Sequence, residues 1–146
     1  MTSALRTVIA EALPRLQAIT KERASLKPAP EVWSAKQVLG HLTDSGINNY
    51  ARLLRLSLED ELDLPGYAQN EWVRLGGYGE RTWADAVALW TVFQLQMAQL
   101  IDNLPPKSRS HTARIGGGEA VTLAFLAEDY VAHQLHHLAQ IWERAE

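Results

Sequence analysis

Cysteine is missing from all 146 residues of the chain. Its absence excludes a disulfide framework, thiolate zinc sites, iron–sulfur clusters and a cysteine nucleophile. Any thiol that takes part in chemistry here must come from outside the chain. Long apolar runs are missing as well: the longest uncharged stretch, residues 86–101, holds three glutamines and is too short to span a bilayer. The opening MTSALRTVIAEALPRLQ carries Arg6, Glu11 and Arg15 and lacks the apolar stretch of a signal peptide. A cytoplasmic location and no membrane partner are therefore expected. Charge of one sign does not dominate: 14 basic against 17 acidic residues leave a net charge of −3. The basic residues are scattered and do not form a stripe interleaved with aromatics, so no nucleic-acid partner is expected.

What is present suits one helical domain over residues 1–146. Apolar residues make up 47% of the chain and charged residues 21%, near the globular average. Four long helical patterns stand out, separated by Pro and Gly clusters. The first covers residues 3–24, with Leu5, Val8, Ile9, Leu13, Leu16 and Ile19 at helical spacing. Pro14 sits inside it, has no N–H to donate and crowds the carbonyl of Ala10, which predicts a kink or a break there. The second starts at the capping box formed by Ser34 and Gln37, with Trp33 and Val38 as a hydrophobic staple, and continues to about residue 58. The third starts behind Thr82 as N-cap, has Asp85 in its first turn and stops before Pro105 and Pro106. The fourth begins at Thr122 and runs to the C-terminus.

Two connections are long. Residues 59–81 hold Pro65, Gly66, Gly76, Gly77 and Gly79, with a short helix expected at residues 69–75; a connection of that length usually has a purpose. Residues 107–121, with three glycines at 116–118, suit a loose hairpin or a loop. No strand pattern competes with the four helices, so the expected class is all-α, a four-helix bundle. The 59–81 crossover reaches about 75 Å when extended, while a helix of this length is only about 35 Å long. An up-down-down-up arrangement is thus allowed, with the second and fourth helices antiparallel.

Five histidines are present: His41, His111, His133, His136 and His137. His133 and His137 differ in direction by about 40° on a helix and share one face with Leu126 and Tyr130. Two imidazoles at that spacing can bind one metal ion. His136 points about 60° to the other side of His133. His41 lies two turns into the second helix, on a face that also carries Ser45, Asn48 and Arg52, beside the apolar stripe of Val38, Leu42, Leu53 and Leu56. A polar line beside an apolar stripe predicts a cavity in the bundle. His41 stands about 10 Å from the start of its helix, and His137 and His133 about 13–20 Å from the end of theirs. In an antiparallel pair all three come to a similar depth. Three neutral imidazoles leave an open coordination position on a zinc-like ion, which then acts as a Lewis acid on what enters it. The alternative reading is ordinary: a HxxxH pair arises by chance in a chain with five histidines, as cavity or surface side chains.

The stretch VWSAKQVLGHLTDSGINNYARL resembles the second helix of the DinB-like superfamily, and VTLAFLAEDYVAHQLHHLAQI resembles its fourth. YAQNEWVRLGGYGERTWADAVALW is similar to the middle segment of that family. The resemblance implies an up-down-down-up four-helix bundle and a divalent metal, zinc or nickel, held by His41, His133 and His137. It also implies thiol-dependent S-transferase chemistry with an external low-molecular-weight thiol as cosubstrate, a small-molecule substrate and a homodimer. A related branch includes a mycothiol-dependent maleylpyruvate isomerase. The resemblance is not to the DNA polymerase that shares the name.

No residue declares itself as acid or base. Asp44 and Asn48 could support a metal-bound histidine or touch substrate, although Asp44 lies about 60° off the His41 direction, which suits a surface role equally. Tyr130 could line the pocket or pack in the core. Arg74 and Trp72 could form a lid or an anion contact, or be a solvated arginine and a packed tryptophan. A di-iron bundle would need Glu-x-x-His on two helices, which does not occur. Neither a G-x-S-x-G turn nor a P-loop is present. The readings left open are a thiol-dependent transferase, a metal-dependent hydrolase and a non-catalytic ligand- or metal-binding bundle.

Overall fold

The computed structural model describes residues 2–146, with side chains from residue 4 onward. The chain folds into α1 (Thr2–Ala18), α2 (Lys21–Ser25), α3 (Ala35–Leu58), β1 (Glu61–Leu64), α4 (Gln69–Gly76), α5 (Trp83–Asn103), β2 (Thr112–Ile115), β3 (Val121–Thr122) and α6 (Leu123–Ala145). The four long helices α1, α3, α5 and α6 form the bundle.

The first helical pattern divides, but not at Pro14. Helix α1 continues through the proline, and the chain breaks at Ile19–Thr20, where Thr20 Oγ1 accepts from Arg23 N and starts α2. An interior proline costs about 3 kcal/mol. Leu5, Val8, Ile9 and Leu16 lie on both sides of it and are all buried; at about 1.5–3 kcal/mol each, their burial outweighs that cost. Helix α3 starts at the expected capping box: Ser34 Oγ accepts from Gln37 N at 3.2 Å and Gln37 Oε1 accepts from Ser34 N at 3.0 Å. Thr82 and Thr122 cap α5 and α6 through the amides of Asp85 and Phe125.

Side-chain bonds fix the helix directions. Arg144 Nη1 donates to Trp33 O and Gln134 Nε2 to Leu42 O, so α6 runs antiparallel to α3. Trp90 Nε1 donates to Gln134 Oε1 and Tyr130 OH to Gln94 Oε1, so α5 is antiparallel to α6 and parallel to α3. Trp83 Nε1 donates to Leu16 O and Arg6 pairs with Asp102, so α1 is antiparallel to α5. The order is up-down-down-up.

Because α3 and α5 are parallel, the segments that follow them leave the bundle at the same end. There they pair: β1 lies parallel to β2, with Leu62 opposite Ala113, and β2 is antiparallel to β3 through a turn with positive φ at Gly116 and Gly117. Residues 107–121 are therefore a hairpin behind a short 3₁₀ turn, Pro106–Ser110. The strand β1 was not expected. Its four residues, ELDL, are too few to show a period, and its partner lies some fifty positions away.

After β1 the crossover returns along α3. Arg52 holds the carbonyl of Pro65, Val73 of α4 is buried, and Tyr78 packs on Gly40. Gly77, at φ 66°, ends α4 in the left-handed conformation that glycine adopts without strain. Among the described residues, no helix is long and apolar enough to cross a membrane.

Candidate metal centre

The antiparallel pairing of α3 and α6 brings His41, His133 and His137 together. Ring centroids are 5.2 Å apart for His41 and His133, 4.8 Å for His41 and His137, and 4.5 Å for His133 and His137. One nitrogen from each ring can be chosen so that all lie within 4.8 Å of one another. A tetrahedral ion with ligand distances near 2.0–2.1 Å needs them about 3.3 Å apart, a closure on the order of 1.5 Å.

The surroundings of each ring suit a ligand. His41 is 1% exposed, and neither of its ring nitrogens has a hydrogen-bond partner. A buried imidazole with two unsatisfied nitrogens is costly unless something else satisfies them. His137 Nδ1 lies 2.9 Å from Gln140 Oε1, which can only accept, so Nδ1 carries the proton and Nε2 offers its lone pair. His133 Nδ1 lies 3.4 Å from Ser45 Oγ, so its Nε2 is the nitrogen not engaged by Ser45. The Trp33 ring, 5.1 Å from His41, covers the third side. Burial first, then the neighbouring imidazoles, push His41 down to about 4. Burial first, then the charge of His137, lower His133 to about 4, with Asp129 opposing. His137 is lowered by burial too, with Gln140 opposing. All three are therefore neutral at pH 7, the form that binds metal.

A cleft of ≈ 240 Å³ opens beside His133, lined by Ser45, Asn49, Arg52, Tyr67 and Tyr130. Asp129 stands at its edge, exposed, one turn before His133. Of the polar line expected on α3, Ser45 and Arg52 line this cleft, while His41 and Asn48 do not. A larger hollow of ≈ 500 Å³ lies between α1 and α5, with Leu13, Trp83, Val87 and Val92 on its walls. It is far poorer in chemistry, offering Lys21 as its one charged group.

The weaker candidates fall in different places. Asp44 is 4% exposed, not on the surface: Tyr78 OH donates to its Oδ1 at 2.6 Å, and its Oδ2 has no partner. Burial raises its pKa, with the Tyr78 bond opposing. Asn48 spends its Nδ2 on Asp44 O of its own helix. Tyr130 is buried, donates to Gln94 and lines the cleft as well. Arg74 pairs with Glu71 on the exposed face of α4 and is not among the cleft residues. Trp72 rests against Tyr67, 5.3 Å between ring centres. His136 is exposed beside His137, and His111 binds Leu56 O and Asp60 near the sheet.

Several site residues had no clear signal in the sequence. Tyr67 comes from the crossover, whose path no pattern predicts. Asn49 and Gln140 are ordinary polar helix residues until the rings beside them are in place. Gln94, fully buried, did carry one: an uncharged amide inside an apolar stretch.

A family model described as the DinB superfamily matches residues 4–141. Two curated bacterial proteins, from Halalkalibacterium halodurans and Oceanobacillus iheyensis, are each 27% identical over 109 residues, 75% of this chain and 63% of their own length. Both carry the name of a candidate metal-dependent hydrolase. The chain thus spans less than two-thirds of those relatives. Among solved structures, YfiT from Bacillus subtilis superposes with a TM-score of 0.85 at 23% identity, covering 97% of this chain and 82% of that one. It is described as having an unusual four-helix bundle topology. A mycothiol-dependent maleylpyruvate isomerase superposes with a TM-score of 0.78 at 12% identity, covering 96% and 58%.

Proposed function

This chain belongs to the DinB superfamily, and on that footing we propose that it is a divalent-metal-dependent enzyme whose ion is held by His41, His133 and His137. The observation that carries this reading is His41, buried to 1% with both nitrogens unpartnered against two imidazoles whose Nε2 atoms are available. Zinc and nickel both suit three imidazoles. When bound, such an ion supplies Lewis acidity and lowers the pKa of a nucleophile that reaches it.

The chain's own residues account for the rest. Gln140 sets the tautomer of His137, and Ser45 contacts Nδ1 of His133. Trp33 shields the buried ring from water. The cleft beside His133 seats a small electrophile, and the nucleophile of this reading is a low-molecular-weight thiol, which must come from outside because the chain has no cysteine. The reaction is then an S-transfer. The names of the two curated relatives favour a second reading, hydrolysis, in which water takes the place of the thiol.

Elemental analysis of the purified protein tests the centre, with wild type and His137→Ala compared after equal loading with zinc or nickel. About one ion per chain in the wild type, lost in the variant, is the expected result. Equal retention in both, or none in either, overturns the metal reading and leaves a non-catalytic binding bundle. Loaded protein is then given an activated electrophile with and without a small thiol: turnover only with thiol supports the transferase, and turnover with water alone supports the hydrolase.

A homodimer also belongs to this reading. Helix α5 leaves Leu89, Val92 and Leu95 exposed, more apolar surface than a bundle helix needs. Sedimentation at micromolar concentration decides it, and a clean monomer refutes it.

A further inference from the structure

The cleft beside the histidines contains one cation whose binding capacity is mostly unspent. Arg6, Arg15, Arg74 and Arg81 each pair with a carboxylate. Among the described residues, Arg52 has no such partner. Its guanidinium has five N–H donors, of which one is used among those residues, from Nη2 to Pro65 O at 3.2 Å. That bond and the Tyr67 ring, 5.7 Å from its centre, hold the group at the cleft wall. Half-buried and without a counter-ion, it stays charged at any physiological pH, and burying a cation unpaired is unfavourable.

Position adds to chemistry. Arg52 lies seven residues after Ser45, so both occupy one face of α3, about 10 Å apart along its axis. Ser45 is the residue against His133. The neutral groups of Asn49, Tyr67 and Tyr130 line the space around them. The acidic residue of the cleft, Asp129, is exposed and stands one turn from His133 on α6. The cleft thus carries its acid on α6 and its cation on α3. Its ≈ 240 Å³ is below the range of pockets for drug-sized ligands, so the occupant is small.

We propose that Arg52 is the carboxylate-binding residue of this cleft, and that the substrate is a small molecule with a carboxylate at one end and its reacting group a few bonds away at the histidine end. This deepens the metal-enzyme reading and rests on it for the identity of the reacting end alone. A single planar guanidinium beside the neutral Asn49 and Tyr67 matches a carboxylate, which it can bind through two parallel bonds.

The test is a titration of the purified chain, before and after zinc loading, with butyrate, butyramide and inorganic phosphate, followed through the amide resonances of Ser45, Asn49 and His133. Butyrate is expected to shift all three with millimolar affinity and butyramide to shift none. Arg52→Gln is expected to weaken butyrate about tenfold or more, and Arg52→Lys, which keeps the charge but not the fork, to fall between. Zinc content of the same samples is expected to be unchanged in both variants. Equal binding of butyramide, tighter binding of phosphate, or butyrate binding that survives Arg52→Gln overturns the assignment. If Arg52→Gln does not fold, Arg52→Lys and the butyramide comparison still decide. A chain that holds no zinc but binds butyrate through Arg52 refutes the metal reading and leaves the carboxylate subsite standing.

Discussion

Tyr78 OH donates to Asp44 Oδ1 at 2.6 Å, tying the crossover to α3 one turn after His41. Both partners are buried, and Asp44 Oδ2 has no other bond. Tyr78→Phe leaves a buried carboxylate with no side-chain donor and is expected to destabilise the protein by about 1–3 kcal/mol. Urea denaturation at neutral pH measures it; a midpoint equal to that of the wild type contradicts the role assigned to this bond.

The same pair predicts a pH dependence. Burial raises the Asp44 pKa above its ordinary value. The folded state therefore holds this proton longer than the unfolded one, and the stability that comes with it is full below the ordinary carboxyl range. It is lost as pH rises through the raised native pKa. Asp44→Asn keeps an acceptor for Tyr78 and removes the charge, so its stability relative to wild type is expected to improve as pH rises from 4 to 7. A difference between the two proteins that does not change across that range overturns the assignment.

Gly40 touches Tyr78 so closely that a Cβ there would fall 2.2 Å from the ring. On an exposed helix, alanine in place of glycine gains about 1 kcal/mol. Here the overlap reverses the sign, and Gly40→Ala is expected to cost about 1–3 kcal/mol. Gly46, where a Cβ would lie 2.8 Å from Phe93 and 2.9 Å from Tyr130 OH, is expected to behave alike. Thermal unfolding of the two variants checks the sign, and a raised midpoint in either would show that the rings move aside.

Gln140 acts on the proposed ion through His137. Its Oε1 accepts from Nδ1 at 2.9 Å and so holds the ring in the tautomer that presents Nε2. Gln140→Ala is expected to weaken zinc binding about 10–100-fold with the fold intact. Competition with a chromogenic chelator reads it directly. Unchanged affinity would mean that packing alone orients the ring.

The histidines give the metal-free protein an acid sensitivity of its own. His41 and His133 sit near 4 in the folded chain, lowered chiefly by burial, while unfolded imidazoles sit near 6.5. The unfolded state binds these protons first, so stability is full above about 6.5 and falls as pH drops toward 4. Replacing His41 with an uncharged side chain of similar size is expected to flatten that part of the profile. A difference in urea midpoint between the metal-free wild type and this variant that stays constant from pH 7 to 4 contradicts it.

Much of the bundle was legible before any coordinates. Helix starts at Ser34, Thr82 and Thr122 depend on a side chain three residues from its partner amide, and such local chemistry shows in any sequence window. The histidine trio was legible for a related reason: helical period sets which side chains share a face, and depth follows from counting residues to the ends. What tertiary structure alone decided lies where contacts join distant positions. Whether Pro14 would break the first helix depended on how much apolar surface α5 covers on either side of it. The pairing of β1 with β2 follows from two parallel helices leaving their connections at one end of the bundle. Asp44, read from its angle as fit for the surface, is buried because Tyr78 arrives from the crossover. Arg52 and Tyr67 face the same cleft because the crossover folds back along α3. Local rules act over one or two turns, whereas the cleft and its polarity come from packing free energy summed over the whole chain.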